Sequence, residues 1–331
     1  MCSISDNCGA ASSGGRVESR LDASRQGGAC GFFEGQQERR DESRRSRHEC
    51  PRHASTLALI LAITSCTKHY KAEGVVLKID ASRQTVTISH RAIPHYMEGM
   101  VMPFTVSDSH ELENLAPGAR ITFRLDVTPK RTRISRIRRE STGIDDVPVP
   151  PPDNRLVVGD PIPAFELTDQ NNHLVHLSDF IGRPIVLDFI YTRCPLPDVC
   201  PRLSANMARL QKRFGGQLPL LSITLDPQFD TPEVLADYAR RWRADSRSWH
   251  FLTGPGDQIR AVAAKFGLVY WAEEGLITHT AVTAIIDSEG KLAALLEGSR
   301  FTSQQLLDLT STTLGLPAQP QAPGRPNPPA P

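Results

Sequence analysis

Between residues 71 and 139 apolar and polar positions alternate with a period of two, the signature of half-buried strands. Gly74-Val-Val-Leu-Lys-Ile-Asp80 and Thr85-Val-Thr-Ile-Ser-His90, separated by Ala81–Gln84, predict one hairpin. Arg120-Ile-Thr-Phe-Arg-Leu-Asp-Val127 and Arg131-Thr-Arg-Ile-Ser-Arg-Ile-Arg138 predict a second. Four or five short strands in about 70 residues suit a small all-β domain, an OB-like barrel. After residue 155 the pattern changes. Pro184-Ile-Val-Leu-Asp-Phe-Ile190 and Leu218-Pro-Leu-Leu-Ser-Ile-Thr-Leu225 are continuous apolar runs expected of central strands, and Ala281–Ile286 with Lys291–Leu296 make a closing hairpin. Helical spacing appears over Pro201–Phe214, Thr231–Trp242, Gly256–Phe266 and Ser303–Thr312. The second domain is therefore α/β, and its strand–helix order, ending in a hairpin and a helix, is thioredoxin-like.

Composition sharpens the boundaries. Half of the 26 prolines fall in two stretches, six between residues 147 and 163 and seven between 317 and 331, marking a linker and a tail. The expected organisation is a leader over 1–65, a β-barrel domain over 66–140, a Pro-rich linker over 141–160, a thioredoxin-like domain over 161–316 and a Pro-rich tail over 317–331. The 38 Lys and Arg against 37 Asp and Glu leave a net charge of +1, so no global field draws the chain to nucleic acid. Arg131, Arg133, Arg136, Arg138 and Arg139 read as a solvated strand face, and no nucleic-acid partner is expected.

The first fifty residues, rich in Ser, Gly, Arg and Glu, cannot bury a core. A basic cluster, Arg44, Arg45, Arg47 and Arg52, precedes an apolar stretch of 11 residues, Ala54–Thr64, and then Ser65-Cys66. That order is a signal peptide in form. Its ending resembles a bacterial lipobox, which implies lipid on Cys66, a mature chain starting there, and a membrane-anchored protein facing the periplasm. Four of the seven cysteines then leave with the leader, and besides Cys66 only Cys194 and Cys200 remain.

That pair carries the candidate chemistry. Pro201 suits the first turn of a helix, which places Cys200 at or near the N-cap, where the helix dipole stabilises a thiolate. Two thiols at a strand–helix junction can exchange disulfides or bind a soft metal, and spacing does not choose. A second soft cluster lies in the barrel. Three of the five methionines, Met97, Met100 and Met102, occur within six positions, shortly after His90. Thioether and imidazole suit Cu(I), while core filling is the alternative use of methionine.

Two resemblances bear on these clusters. The stretch from His90 to Phe104 resembles the CusF-type periplasmic copper-binding domain, whose spaced His and Met-x-Met correspond to His90, Met100 and Met102. The family's Trp is replaced by Met97, so either Met97 ligates the metal directly or the adjacent Tyr96 covers it. Residues 155–316 resemble the SCO/SenC family, through Asp188-Phe-Ile-Tyr-Thr-Arg-Cys-Pro195, Val199-Cys-Pro201, Leu225-Asp-Pro-Gln-Phe-Asp-Thr-Pro232, His250-Phe-Leu-Thr-Gly254 and Thr278-His-Thr280. The resemblance implies a thioredoxin fold, copper (Cu(I), Cu(II) or both) on Cys194, Cys200 and His279, and delivery to the apo CuA-bearing subunit of cytochrome c oxidase. Two departures stand out: two extra residues between the thiols, and Thr278 where the family has Asp. A thiol–disulfide oxidoreductase using only Cys194 and Cys200 is the alternative. Asp230-Thr-Pro-Glu233 reads as a helix-capping box, His173 and His176 as solvent-exposed, and Asp198 as a charge able to act on Cys200.

Overall fold

The computed structural model describes residues 67–129, 131–140, 153–273 and 275–317. The expected leader, lipid-bearing Cys66, much of the linker and nearly all of the tail lie outside the described residues. Five strands, β1 (Lys68–Asp80), β2 (Thr85–His90), β3 (Met100–Val106), β4 (Arg120–Thr128) and β5 (Arg131–Arg139), close into a barrel in the order β1-β2-β3-β5-β4. Only β3 and β5 pair in parallel; every other junction is antiparallel. Inward-facing Val76, Val86, Ile88, Phe104, Ile121, Phe123, Leu125 and Ile134 fill the interior, as strand alternation requires.

The second domain has a seven-stranded sheet flanked by helices. Its strands are β6 (Glu166–Asp169), β7 (Leu174–His176), β8 (Ile185–Ile190), β9 (Leu220–Thr224), β10 (Trp249–Thr253), β13 (Val282–Ile286) and β14 (Leu292–Glu297), and a separate hairpin is formed by β11 (Tyr270–Glu273) and β12 (Leu276–His279). The order is β14-β13-β8-β9-β10-β6-β7, with β8, β9 and β10 parallel. All residues of β8 and β9 are buried, because helices cover both faces of a parallel core. The helices are α1 (Cys200–Phe214), α2 (Pro232–Arg241), α3 (Gly256–Lys265) and α4 (Ser303–Leu314). Among the described residues no helix is long and apolar enough to cross a membrane.

One local expectation changes. Thr231, not Asp230, caps α2: its hydroxyl accepts from the Val234 amide. Asp230 is fully buried and turned toward the loop that carries Cys194.

The two domains share a core. Val75 and Leu77, on the outer face of β1, belong to the same apolar cluster as Leu306 and Leu309 of α4, and α4 packs across β1. A β-bulge between Val76 and Lys78 accompanies this two-sided burial. Burying each such aliphatic side chain stabilises by about 1.5–3 kcal/mol. Polar contacts also cross the seam, among them Ser89 Oγ donating to Asp308 Oδ2 at 2.7 Å, Gln305 Nε2 to the Ser89 carbonyl at 3.2 Å, Arg91 Nη2 to the Arg300 carbonyl at 2.6 Å and the Arg139–Glu297 pair at 3.3 Å, and they contribute about 1 kcal/mol or less each. Apolar burial therefore dominates the junction. Gly118 shows how close the approach is: at φ +94°, a Cβ there would lie 2.3 Å from the Leu295 carbonyl oxygen.

Candidate metal centres

In the second domain, β8 delivers the chain to a turn that ends at Cys194, whose amide donates to the Tyr191 carbonyl at 3.3 Å. Residues 195–198 are exposed, and the chain re-enters the fold at Cys200, the first residue of α1, with Pro201 in the first turn and Val199 as N-cap. Cys200 is fully buried and Cys194 half-buried, and both are free thiols. His279 arrives from the end of β12, which β11 holds through the Tyr270–His279 pairing. Its Nδ1 lies 2.8 Å from the Thr280 carbonyl and its Nε2 lies 3.5 Å from the Cys200 sulfur. A ring held this way at Nδ1 carries the proton there and aims its Nε2 lone pair at the thiols. Tyr191 packs edge-on against the same ring, with centroids 5.7 Å apart.

The two thiols are inequivalent. The neighbouring Cys200 thiol draws the Cys194 pKa below the ordinary thiol range, against the opposing effect of burial. Cys200 is pushed up, by Cys194 first and by burial next, with buried Asp188 adding to the effect. The direction of the difference is that Cys194 ionises before Cys200.

Two acids near the thiols also differ from their expected roles. Asp198 pairs with Arg202 and points to solvent, so the acid bearing on Cys200 is Asp188. Buried Asp230 accepts from the Thr192 amide at 3.1 Å and from the hydroxyls of Thr192 and Thr224. Asp226 pairs with Arg193 Nε at 2.7 Å. These two carboxylates fix Thr192 and Arg193 immediately before Cys194. Their residue types alone give no sign of it; the interval between Thr192 and Asp230 closes only in three dimensions. His173 and His176 are 77% and 42% exposed, as expected.

Cys194, Cys200 and His279 are thus neighbours, yet not gathered about one point. Cys194 Sγ faces the Leu196 carbonyl at 3.8 Å. Among the described residues no group of three His, Cys, Asp or Glu side chains is placed to hold a metal ion as it stands. The chemistry of the set nonetheless fits a soft ion: one thiolate, one thiol able to lose its proton, and one imidazole with Nε2 directed at sulfur.

In the barrel, the register pairs His90 with Met100 and Ile88 with Met102. Met100, Met102 and Phe104 share one face of β3, and His90 lies edge-on to Phe104 at 5.7 Å. His90 is 3% exposed. Its Nδ1 contacts the Arg91 carbonyl at 2.8 Å, while its Nε2 is buried with no hydrogen-bond partner. Leaving a buried nitrogen unpaired costs about 1–3 kcal/mol unless a ligand takes it, so this atom fits a metal. Met97 and Met102 pack against the barrel core, and Met97 bridges to Ile93 across the β2–β3 connection. Tyr96 stacks on Tyr70 with centroids 4.5 Å apart.

A thioredoxin-like domain with a dithiol and a histidine at the mouth of its central strands, fused to a small barrel with a buried histidine and methionines, defines a protein built to handle a soft metal or thiols. Comparison places it more closely. Residues 158–314 match the SCO1/SenC family and residues 69–139 match the family described as copper binding periplasmic protein CusF. A SCO2-like protein of Rickettsia felis is 33% identical over 150 residues, covering 42% of this chain and 68% of the relative. A putative copper-binding protein of Stutzerimonas stutzeri is 32% identical over 162 residues, covering 44% and 77%. A solved SCO1/SenC family lipoprotein from Bacillus anthracis is 25% identical, covers 47% of this chain and 97% of its own, and superposes with a TM-score of 0.42. The chain belongs to the SCO1/SenC family, with a CusF-type domain ahead of it.

Proposed function

We propose that this protein is a copper chaperone that delivers its ion to the CuA site of cytochrome c oxidase during assembly of that enzyme. The thioredoxin-like domain holds copper through Cys194, Cys200 and His279, and the barrel holds Cu(I) through His90, Met100 and Met102, with Met97 beside them. Lipid on Cys66 anchors the chain in the cell envelope, facing the periplasm, and the boundaries at 65, 140, 160 and 316 separate leader, barrel, linker, main domain and tail. The observation that carries this reading is the pair of histidines, each tied at Nδ1 to the following carbonyl and each leaving Nε2 for a soft-donor set. In this reading copper also passes from the barrel to the dithiol, a step supported by the apolar cluster that the two domains share.

Copper counting tests the proposal. The reduced, metal-free full chain is loaded with Cu(I) and Cu(II), and metal per chain is measured. Two coppers are expected, one lost in Cys194→Ser plus Cys200→Ser and the other in Met100→Ile plus Met102→Ile. Copper at neither site would overturn it.

A second reading rests on the inequivalent thiols. In a thiol–disulfide oxidoreductase, the Cys194 thiolate attacks a partner disulfide and forms a mixed disulfide. Cys200, deprotonated, then closes a Cys194–Cys200 disulfide and releases the partner as a dithiol; a dithiol reductant restores the start. This activity would survive His279→Ala and loss of the methionines, and chaperoning would not.

A further inference from the structure

Beside the barrel–sheet seam lies a cavity of about 330 Å³ whose walls include Glu73, Arg91, Arg120, Glu140, Arg300 and Gln305. The three arginines come from three separate parts of the chain: Arg91 follows β2, Arg120 opens β4, and Arg300 follows β14. Two carboxylates answer two of them. Arg91 Nη1 pairs with Glu73 at 2.7 Å, and Arg120, only 12% exposed, pairs with Glu140. Among the described residues the guanidinium of Arg300 has no hydrogen-bond or ion-pair partner, while its backbone carbonyl accepts from Arg91 Nη2 at 2.6 Å. Three cations thus face one cavity against two anions.

The surroundings show that this excess is felt. Burial, and then the like charges of Arg300 and Arg91, depress the pKa of Arg120. Gly298 leaves room for that side chain: a Cβ there would stand 3.0 Å from Arg120 Nη1. Guanidinium forks match the spacing of phosphate or carboxylate oxygens, and the set combines a sheltered Arg120 with Arg91 and Arg300, whose exposed side chains leave the cavity open to a ligand from solvent.

We propose that this cavity is a binding site for a small, multiply charged oxyanion, which bridges Arg91 and Arg120 of the barrel to Arg300 of the second domain. The ligand supplies the missing negative charge and adds an ionic clasp to a seam that already carries the Arg139–Glu297 pair. The proposal stands apart from the copper reading, and its test uses metal-free protein.

Inorganic phosphate is titrated into the metal-free full chain by calorimetry, in chloride buffer at fixed ionic strength. One saturable phosphate per chain is expected, with at least tenfold weaker binding in Arg300→Gln. Phosphate raises the melting midpoint of the parent over chloride at equal ionic strength, and Arg300→Gln loses that increment while melting normally in chloride. Arg247→Gln, a substitution at an exposed arginine paired with Asp245, keeps both responses. Phosphate also slows phenylglyoxal labelling of Arg300 in the unmutated chain. No saturable heat, or parental affinity in Arg300→Gln together with unprotected labelling, overturns the proposal.

Discussion

The barrel and the thioredoxin-like domain present their histidines in the same way and surround them with different sulfur. His90 and His279 are each held at Nδ1 by the carbonyl of the next residue. Beyond Nε2, His279 meets a thiol, whereas the strand register sets His90 beside thioethers. A thioether carries no proton and forms no disulfide, so the barrel set answers to neither thiol redox state nor thiol ionisation. The dithiol answers to both. Burial follows the same division: His90 is sealed in a core, and Cys194 meets solvent at the edge of an exposed loop. On the proposed reading, one molecule pairs a constitutive soft site with a switchable one.

That contrast can be broken by experiment. The largest expected effect is oxidation: a Cys194–Cys200 disulfide removes one of two bound coppers and leaves the barrel copper untouched, read by metal content before and after a dithiol oxidant. Next, His90→Ala weakens Cu(I) at the barrel by ten- to a hundredfold, without changing copper at the dithiol. Parallel loss at both sites in competition titrations would show that they do not act separately.

Ionisation sharpens the comparison. Cys194, with its lowered pKa, is alkylated by iodoacetamide at pH 6, and Cys200 stays unmodified; mass mapping of the labelled peptides checks this. Asp188 gives a stability signature of opposite sense to an ordinary carboxylate. Burial pushes it up to about 7, against the Ser222 hydrogen bond that pulls it down. The fold therefore binds this proton more tightly than the unfolded chain does. Its contribution to stability is full below about pH 4 and falls as pH rises toward 7, by about 1.4 kcal/mol for each pH unit crossed. Urea midpoints at pH 5 and pH 8 measure the slope, and Asp188→Asn flattens it. The smallest effect belongs to the seam: Ser89→Ala, which removes the bond to Asp308, costs about 1 kcal/mol in the same assay.

Much of this is legible in the sequence. Alternation locates β2, β4 and β5, continuous apolar runs locate β8 and β9, and the four helices fall within two residues of their observed ends. Periodicity cannot show the β11–β12 hairpin that brings His279 to Cys200, since its four-residue strands are too short to carry a pattern. Local helix geometry does not reveal that the Cys200 sulfur faces His279. Asp230 resembles a cap for the same reason: its bonds run to Thr192, far away in sequence. The docking of the domains is hidden too. Val75 and Leu77 read as ordinary strand residues, and nothing local announces that α4 covers them.

Helix α4 has a last consequence. With Leu306 and Leu309 in a cluster that also contains Val75 and Leu77, it belongs to the folding of both halves at once. Heating should reveal one calorimetric transition where two tethered beads would give two, and a barrel made without α4 would bring an uncovered oily stripe into solution. The fusion is in this sense no longer a pair of portable parts: each half has become a piece of the other's interior, and neither can be exchanged without recutting that surface.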